Sequence, residues 1–402
     1  MKILFLAHLF PLPLDSGGKI KTYHTLKALA GRHEVRVVAY LRDENERSHL
    51  PDLLHLCPQV EPVPLSRGKA TQIADLASSL LTRRSFIVSR DFRADMLQAV
   101  QREIDRFRPD IVHIDHLQMA QFVDFSGPYA TVLDHHNVES AIIQRIAKTS
   151  ASPPTRVYAN IEWPKLRAYE LDVCRKCDLV LTVSDEDKNT IQTLDPAIRN
   201  VCTVPIGVDV HGQMPVERNP DSQNILSLGA MHWPPNIDSM RYFCRDIYPL
   251  VKRKFPACRL TIAGQRPPRA IRSLASDRSI TVTGYVNDTV SLARDCGVFV
   301  VPLRSGSGVR VKILNAMAMS LPIVSTSIGA EGLAVTPGEH MLIADTPATF
   351  ANAVTRVLSN RDLAQRLGRA GRELAVERYS WDIVGQTLLK VYDQCIRWRL
   401  SA

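Results

Sequence analysis

The stretch that most constrains this chain is Gly297-Val-Phe-Val-Val-Pro302, followed by Leu303-Arg-Ser-Gly-Ser-Gly308 and then Val309-Arg-Val-Lys-Ile-Leu-Asn-Ala-Met-Ala-Met319. The first segment is short, apolar and uncharged, which predicts a buried strand. The third is rich in Ala, Leu, Met and Lys, which predicts a helix. Leu321-Pro-Ile-Val-Ser-Thr326 returns as a second strand. Strand, glycine-bearing loop, helix and strand make a βαβ unit whose loop opens on the carboxyl edge of a parallel sheet. Gly306 and Gly308, either side of Ser307, let a ligand approach the backbone, and a helix starting at Val309 would offer unpaired N–H groups to an anion. Arg310 and Lys312 would add two cations in the first helical turn, where they oppose the helix dipole. Residues that break a local rule point to function, and here they point to a diphosphate site.

The same alternation runs through the whole chain. Lys2–Ala7 reads as a strand, and Pro11–Gly18 as a turn-rich loop ending in Gly17 and Gly18. A helix follows over Lys19–Ala30 and a strand over Val35–Tyr40. The full spaced-glycine dinucleotide fingerprint is missing, so the Gly17-Gly18 loop is suited either to a phosphate or to an entering acceptor. Residues 66–108 are expected to be mostly helical. Asp110–Ile114 and Thr131–Asp134 are strands, and beyond them lie Asp115 and His116, then His135, His136 and Glu139. With His113, four histidines and two carboxylates gather near two successive strand ends, where an α/β sheet presents its chemistry. No three of them can be shown to converge as a metal triad.

A helix over 160–177, a strand over Asp178–Ser184, a helix over Asp185–Leu194 and a strand over Val201–Pro205 complete the first half. Residues 211–223 are polar with two prolines and read as a linker. The second half restarts with strands at Asn224–Leu228, Cys258–Ala263 and Ile280–Thr283, with a helix over 237–254 between the first two. After Met341–Ala344 the chain is expected to be helical to its end. The domains expected are 1–210, a linker 211–223, a second domain 224–379 and a terminal helix 380–402 that packs back towards the first.

Composition narrows the function classes. With 402 residues, 45% hydrophobic and 23% charged, the chain has material for sizeable cores, and no stretch is long and apolar enough for a membrane span. Met1–Ala7 looks like the start of a signal peptide, but Pro11, Pro13 and Asp15 follow where its apolar core would continue. Among the eight cysteines only Cys174 and Cys177 have metal-like spacing, without a second pair, so both are read as core residues on a helix in a reducing cytoplasm. The net charge of +9 favours a polyanionic partner. With 6% aromatic residues and no basic–aromatic interleaving, nucleic acid is not expected. The arginines at 83, 84, 90, 93, 102, 106 and 108 read as a solvated face, with contact to anionic lipid as the functional alternative.

Taken together, these motifs resemble the GT-B glycosyltransferases, in particular the retaining family 4. The resemblance is carried by Gly17-Gly18, Val204-Pro-Ile-Gly-Val-Asp209, Leu228-Gly229, Ile262-Ala-Gly264 and, above all, the block from Val301 to Ala318 continued by Leu321-Pro-Ile-Val-Ser325. His232-Trp-Pro-Pro-Asn236 is similar to a subgroup found with surface-glycan genes. The resemblance implies an α/β fold of GT-B architecture, two Rossmann-like domains facing across a cleft. It implies that Gly306, Ser307, Gly308, Val309, Arg310 and Lys312 hold the donor diphosphate, and that Gly229, Gly264, Gly284, Tyr285, Val286 and Asn315 serve the nucleoside. Two departures stand out: Ser307 and Asn315 occupy the positions of the family's two motif glutamates.

A family histidine near the reacting sugar maps to this chain's 113–116 region, where strict alignment picks Asp115 and chemistry picks His116. His136 and Glu139 complete the expected catalytic set. The implied reaction moves a sugar from a nucleoside diphosphate-sugar to a glycan or lipid-linked hydroxyl, with retention, without metal and without a cofactor. The expected location is the cytoplasm or the inner membrane face. A nucleotide-sugar epimerase, a phosphorylase, or a non-catalytic sugar-nucleotide binder are the alternatives on the same fold.

Overall fold

The computed structural model describes residues 1–402 except 67, 69–75, 78, 80, 81, 151, 307 and 402, with the backbone alone for 398–401. The chain forms two compact units: Met1–Pro205 with Val384–Ala402, and Ile206–Ile383. The first contains strands β1 (Lys2–Ala7), β2 (Glu34–Leu41), β3 (Val60–Pro64), β4 (Ile111–Asp115), β5 (Ala130–Asp134), β6 (Leu179–Thr182) and β7 (Val201–Thr203). They form a parallel seven-stranded sheet in the order β3-β2-β1-β4-β5-β6-β7. The second contains β8 (Asn224–Leu228), β9 (Arg259–Ala263), β10 (Ile280–Gly284), β11 (Val298–Val301), β12 (Ile323–Ser325) and β13 (Leu342–Ile343). Its six strands are also parallel, in the order β10-β9-β8-β11-β12-β13. Each sheet reverses strand order at one place, between β1 and β4 and between β8 and β11. Those are the switch points at which open parallel sheets bind ligands.

Helices cover both faces of each sheet, so the strands are buried on both sides and read as continuous apolar runs. Along β11, Val298 and Val300 join one core cluster while Phe299 and Val301 join another on the opposite face. This side-to-side alternation follows from the two-residue period of a strand.

The structure departs from the expected elements in places with identifiable causes. β3 carries Pro62 and Pro64, which hide it from a propensity reading; it is tolerated as an edge strand. Glu139–Thr149 is a helix in a stretch to which the sequence reading gives no element, and Pro153–Lys176 starts earlier than 160, with prolines in its first turn. The helix expected over 237–254 begins at Pro234 and is interrupted by a π-helical segment, Phe243–Ile247, just before Pro249. A proline ring clashes with the carbonyl four residues back, which accounts for the break. The helix expected from Val309 spans Val311–Ala318, because Gly308 has a left-handed φ of 73° and Arg310 is non-helical at ψ 88°. Arg310 is therefore the N-cap residue and Lys312 alone of the two lies within the first turn.

The last helix, Trp381–Ser401, contributes Tyr392 to the first unit. Tyr392 is fully buried and its hydroxyl is hydrogen-bonded to Nδ1 of His113 on β4. His113 also stacks on Phe5 of β1, with ring centroids 4.2 Å apart. Leaving a buried polar atom without its partner costs about 1–3 kcal/mol. Tyr392→Phe should therefore lower unfolding stability by about that amount, measured by urea titration; an unchanged midpoint would show that the bond contributes nothing.

Candidate functional site

Polar groups collect at the switch point of the first unit because three strands end there at one level: Ala7, Asp115 and Asp134 are register partners. His8, His116 and His135–His136 follow directly. Asp115 is fully buried and accepts hydrogen bonds from His116 Nδ1 and His136 Nε2, both at 2.9 Å, and from the Thr22 hydroxyl at 3.0 Å. The two imidazoles lie against each other with centroids 3.7 Å apart. Their remaining nitrogens face Gly18, which with Gly17 opens the helix Gly17–Ala30 where the end of a loop was expected. A Cβ placed on Gly18 would lie 3.7 Å from His116 Nε2 and 3.8 Å from His136 Nδ1, and would collide with Leu9 at 2.7 Å. His116 itself is held in an unusual backbone conformation for a side-chain-bearing residue, φ 74°.

The charges follow from this geometry. Burial would raise the Asp115 carboxyl, but His116 and His136 hold it well below the usual carboxylate range. Burial works against a charge on His116, yet Asp115 overcomes it and raises that imidazole. His136 is pushed down to about 4 by burial and by the neighbouring His116 charge. An ionised carboxylate accepts only, so both ring nitrogens touching Asp115 carry hydrogen. That leaves a lone pair on His136 Nδ1 and, when His116 is charged, an N–H on its Nε2. One donor and one acceptor, side by side beneath Gly18, are what a single hydroxyl group needs.

Other members of the expected cluster play different parts. His113 and His135 are core residues: His135 bonds the Asn137 carbonyl at 3.0 Å and touches Cys174 Sγ at 3.5 Å. Cys174 and Cys177 are both buried, as expected of core residues. Glu139 starts its helix, and its carboxylate is held by Gln118 Nε2 at 2.8 and 3.0 Å. It is raised by burial and by the buried Glu170 beside it, which is itself pushed up to about 7 by burial. Sequence reasoning passed over His8, bonded to Asp91 at 3.0 Å, and a buried Lys21–Asp134 ion pair. Both lie next to strand ends already singled out, and that position was the available signal. Asp115, His116 and His136, and likewise His113, Asp115 and Asp134, bring potential metal ligands within 4.8 Å of one another. In the first group, however, each Asp115 oxygen already holds an imidazole N–H.

The second unit builds its site from four loops at the carboxyl edge. Gly229, Gly264 and Gly284 end three adjacent strands; Gly229 N–H bonds the Ala263 carbonyl at 3.0 Å and Gly264 N–H the Gly284 carbonyl at 2.8 Å. Only glycine fits at 264, since a Cβ there would lie 1.6 Å from the Gly229 oxygen. Tyr285 is 72% exposed beside them, and Val286 is half-buried.

From the β11 side come Gly306, Gly308, Val309, Arg310 and Lys312; Ser307 lies outside the described residues. The Arg310 guanidinium is 10% exposed, bonds the carbonyl of Gly308 and stands 3.9 Å from Glu331. Lys312 Nζ donates to Asn236 Oδ1 at 3.0 Å. Burial, and then the Arg310 charge, push its ammonium down to about 7. Such a group gains most from an anion arriving beside it. Asn315 sits one turn on, half-buried.

The arginine stretch is partly engaged within the unit. Arg93 donates to the carbonyls of Ser66 at 2.7 Å and Arg90 at 3.2 Å, and Arg102 pairs with Glu61 at 2.6 Å, while Arg83, Arg84 and Arg106 stay exposed. Among the described residues no helix is long and apolar enough to cross a membrane.

With this geometry in place, comparison with known proteins is informative. The family described as Glycosyltransferase Family 4 matches residues 16–211, and the one described as Glycosyl transferases group 1 matches residues 222–360. A phosphatidyl-myo-inositol mannosyltransferase of Mycobacterium leprae is 30% identical over 154 residues, 37% of this chain and 41% of that protein. An uncharacterized protein of the cps region of Klebsiella pneumoniae is 30% identical over 146 residues, 34% of this chain and 37% of that protein. The alignments thus span about two fifths of these relatives.

Among solved structures, a sucrose-phosphate synthase from Thermosynechococcus elongatus superposes with a TM-score of 0.73 at 16% identity, covering 98% of this chain and 99% of that one. Anabaena HepE in complex with UDP superposes with a TM-score of 0.69 at 12% identity, covering 98% and 100%. At those identities the likeness speaks for the fold, two Rossmann-like domains. The two family matches between them take in most of the sequence, and the chain belongs to the family 4 glycosyltransferases.

Proposed function

We propose that this protein transfers a glycosyl group from a nucleoside diphosphate-sugar to a hydroxyl acceptor, with retention of anomeric configuration and without a required metal. The observation that carries the reading is the pair of cations at the second unit's switch point, Arg310 and the desolvated Lys312, beside glycines that open the backbone. Transfer leaves a diphosphate carrying a growing negative charge. Cations already in place there stabilise that charge with little reorganisation. The nucleoside would lie against Gly229, Gly264, Gly284, Tyr285 and Val286. Asn315 would meet hydroxyls through neutral hydrogen bonds, weaker than those a carboxylate forms. Anabaena HepE binds UDP-glucose, and a Mycobacterium tuberculosis relative is a GDP-mannose-dependent mannosyltransferase, which supports this donor class.

In the first unit, the donor–acceptor pair on His116 and His136 suits a sugar hydroxyl, and Gly18, which has no side chain, stands over it in the first turn of the helix Gly17–Ala30. Asp115 acts through both imidazoles and is a positioning residue. Retention rests on the family membership. Metal independence is supported by the full engagement of the Asp115 carboxylate and by the cations that already answer the diphosphate charge. A glycan or lipid-linked alcohol is the acceptor class proposed, since the mycobacterial relative is named for an inositol lipid.

Three outcomes test the reading. Arg310→Ala with Lys312→Ala should lower turnover by at least about a hundredfold, the usual effect of removing such charge stabilisation; near-normal rates in a donor-hydrolysis and transfer assay would contradict it. His116→Ala should slow transfer while nucleoside diphosphate affinity, measured by calorimetry, stays near wild type. Dialysis against EDTA should leave the transfer rate unchanged; loss of activity restored by a divalent cation would remove the metal-independent part of the proposal.

A further inference from the structure

The Lys312 partner Asn236 ends the motif His232-Trp-Pro-Pro-Asn236. The motif follows β8 and opens the helix Pro234–Tyr242. Two prolines in the first turn preset the backbone and lack N–H groups that would be unpaired there anyway. The Asn236 N–H closes the turn on the Trp233 carbonyl at 3.0 Å. The Asn236 side chain then has one sensible orientation. Its Nδ2 donates to the Ala230 carbonyl at 2.9 Å and its Oδ1 accepts from Lys312 Nζ at 3.0 Å. Flipping the amide would set oxygen against oxygen and N–H against ammonium.

The pair joins the loop after β8 to the helix after β11, the two connections that flank the switch point. Gly229 leaves space for it: a Cβ there would lie 3.1 Å from Asn236 Nδ2 and 3.4 Å from Lys312 Nζ. A second tie runs between the same elements, since Arg304 is bidentate to Asp238 at 3.0 and 2.5 Å and stacks 4.5 Å over Tyr242.

We infer that Asn236 is a positioning residue that aims the Lys312 ammonium at the donor diphosphate. The inference rests on the reading that Lys312 meets that diphosphate. An ammonium has three N–H donors, and a bond to Asn236 leaves two for phosphate oxygens. A neutral amide fixes the direction of the charge without cancelling it. A carboxylate at 236 would still pair with the lysine, but it would neutralise the charge and lose the bond to the Ala230 carbonyl. Asn236 therefore anchors and preserves the cation together, and the rigid Trp-Pro-Pro turn sets where the anchor stands.

The test uses the whole chain and two probes, UDP and GDP, with affinity read by calorimetry and stability by thermal unfolding. Asn236→Ala should weaken binding of the recognised diphosphate by about tenfold, the scale of one lost charged hydrogen bond. Asn236→Asp should weaken it further while melting close to Asn236→Ala, because its carboxylate pairs with Lys312 but sets an oxygen against the Ala230 carbonyl. Affinity then separates two variants that stability does not, whereas a merely structural asparagine would make them move together. Asn236→Asp binding as tightly as wild type would overturn the inference, as would Lys312→Ala losing affinity while both Asn236 variants keep it. If wild type binds neither nucleotide, or Lys312→Ala binds as wild type does, the donor-site reading itself fails.

Discussion

Both units depend on the same topological constraint. Where a parallel sheet reverses its strand order, the connections from two neighbouring strands leave towards opposite faces and a crevice opens between them. Backbone hydrogen bonds within the sheet fix the floor of that crevice. The loops above it are then free to carry chemistry without weakening the core. The first unit uses the β1/β4 reversal to hold imidazoles and carboxylates. The second uses the β8/β11 reversal to hold cations and glycine-opened backbone. One architecture thus gathers imidazoles and carboxylates at one reversal and cations at the other.

The two sites manage buried charge differently. Asp115 is ionised in a buried position because two imidazoles and a hydroxyl answer it. Among the described residues Lys312 is answered by a neutral amide only, so its charge is held in an unfavourable setting. A satisfied cluster of the first kind is rigid and specific. A strained cation of the second kind is receptive, because its desolvation is relieved when an anion arrives.

Much of this was legible in the sequence because parallel strands buried on both faces are continuous apolar runs, and glycines mark their carboxyl ends. The strands at Lys2–Ala7 and Asn224–Leu228 and the helix Asp185–Leu194 could be read to the residue. The glycine- and cation-bearing loop after β11 was visible through Gly306, Gly308, Arg310 and Lys312, and the strand-end cluster through Asp115, His116 and His136. What stayed hidden depends on tertiary contact. β3 owes its existence to an edge position that tolerates proline. The first turn at Val311 depends on a left-handed Gly308, which spacing does not reveal. The sorting of four histidines into two that face Gly18 and two that fill the core rests on Tyr392 and Cys174, far away along the chain. The Asn236–Lys312 bond spans 76 positions and connects two motifs that look independent in one dimension.

The return of the terminal helix to the first unit has a consequence for biosynthesis. A ribosome releases the chain from its amino end, so β1 to β7 emerge long before Val384–Ala402. Until Tyr392 arrives, the His113 imidazole lacks its hydroxyl partner and the pocket that Tyr392 fills stays open. The first unit must therefore wait, incompletely closed, while the whole of the second is translated, and it is during that interval that a chaperone would find exposed apolar surface to hold.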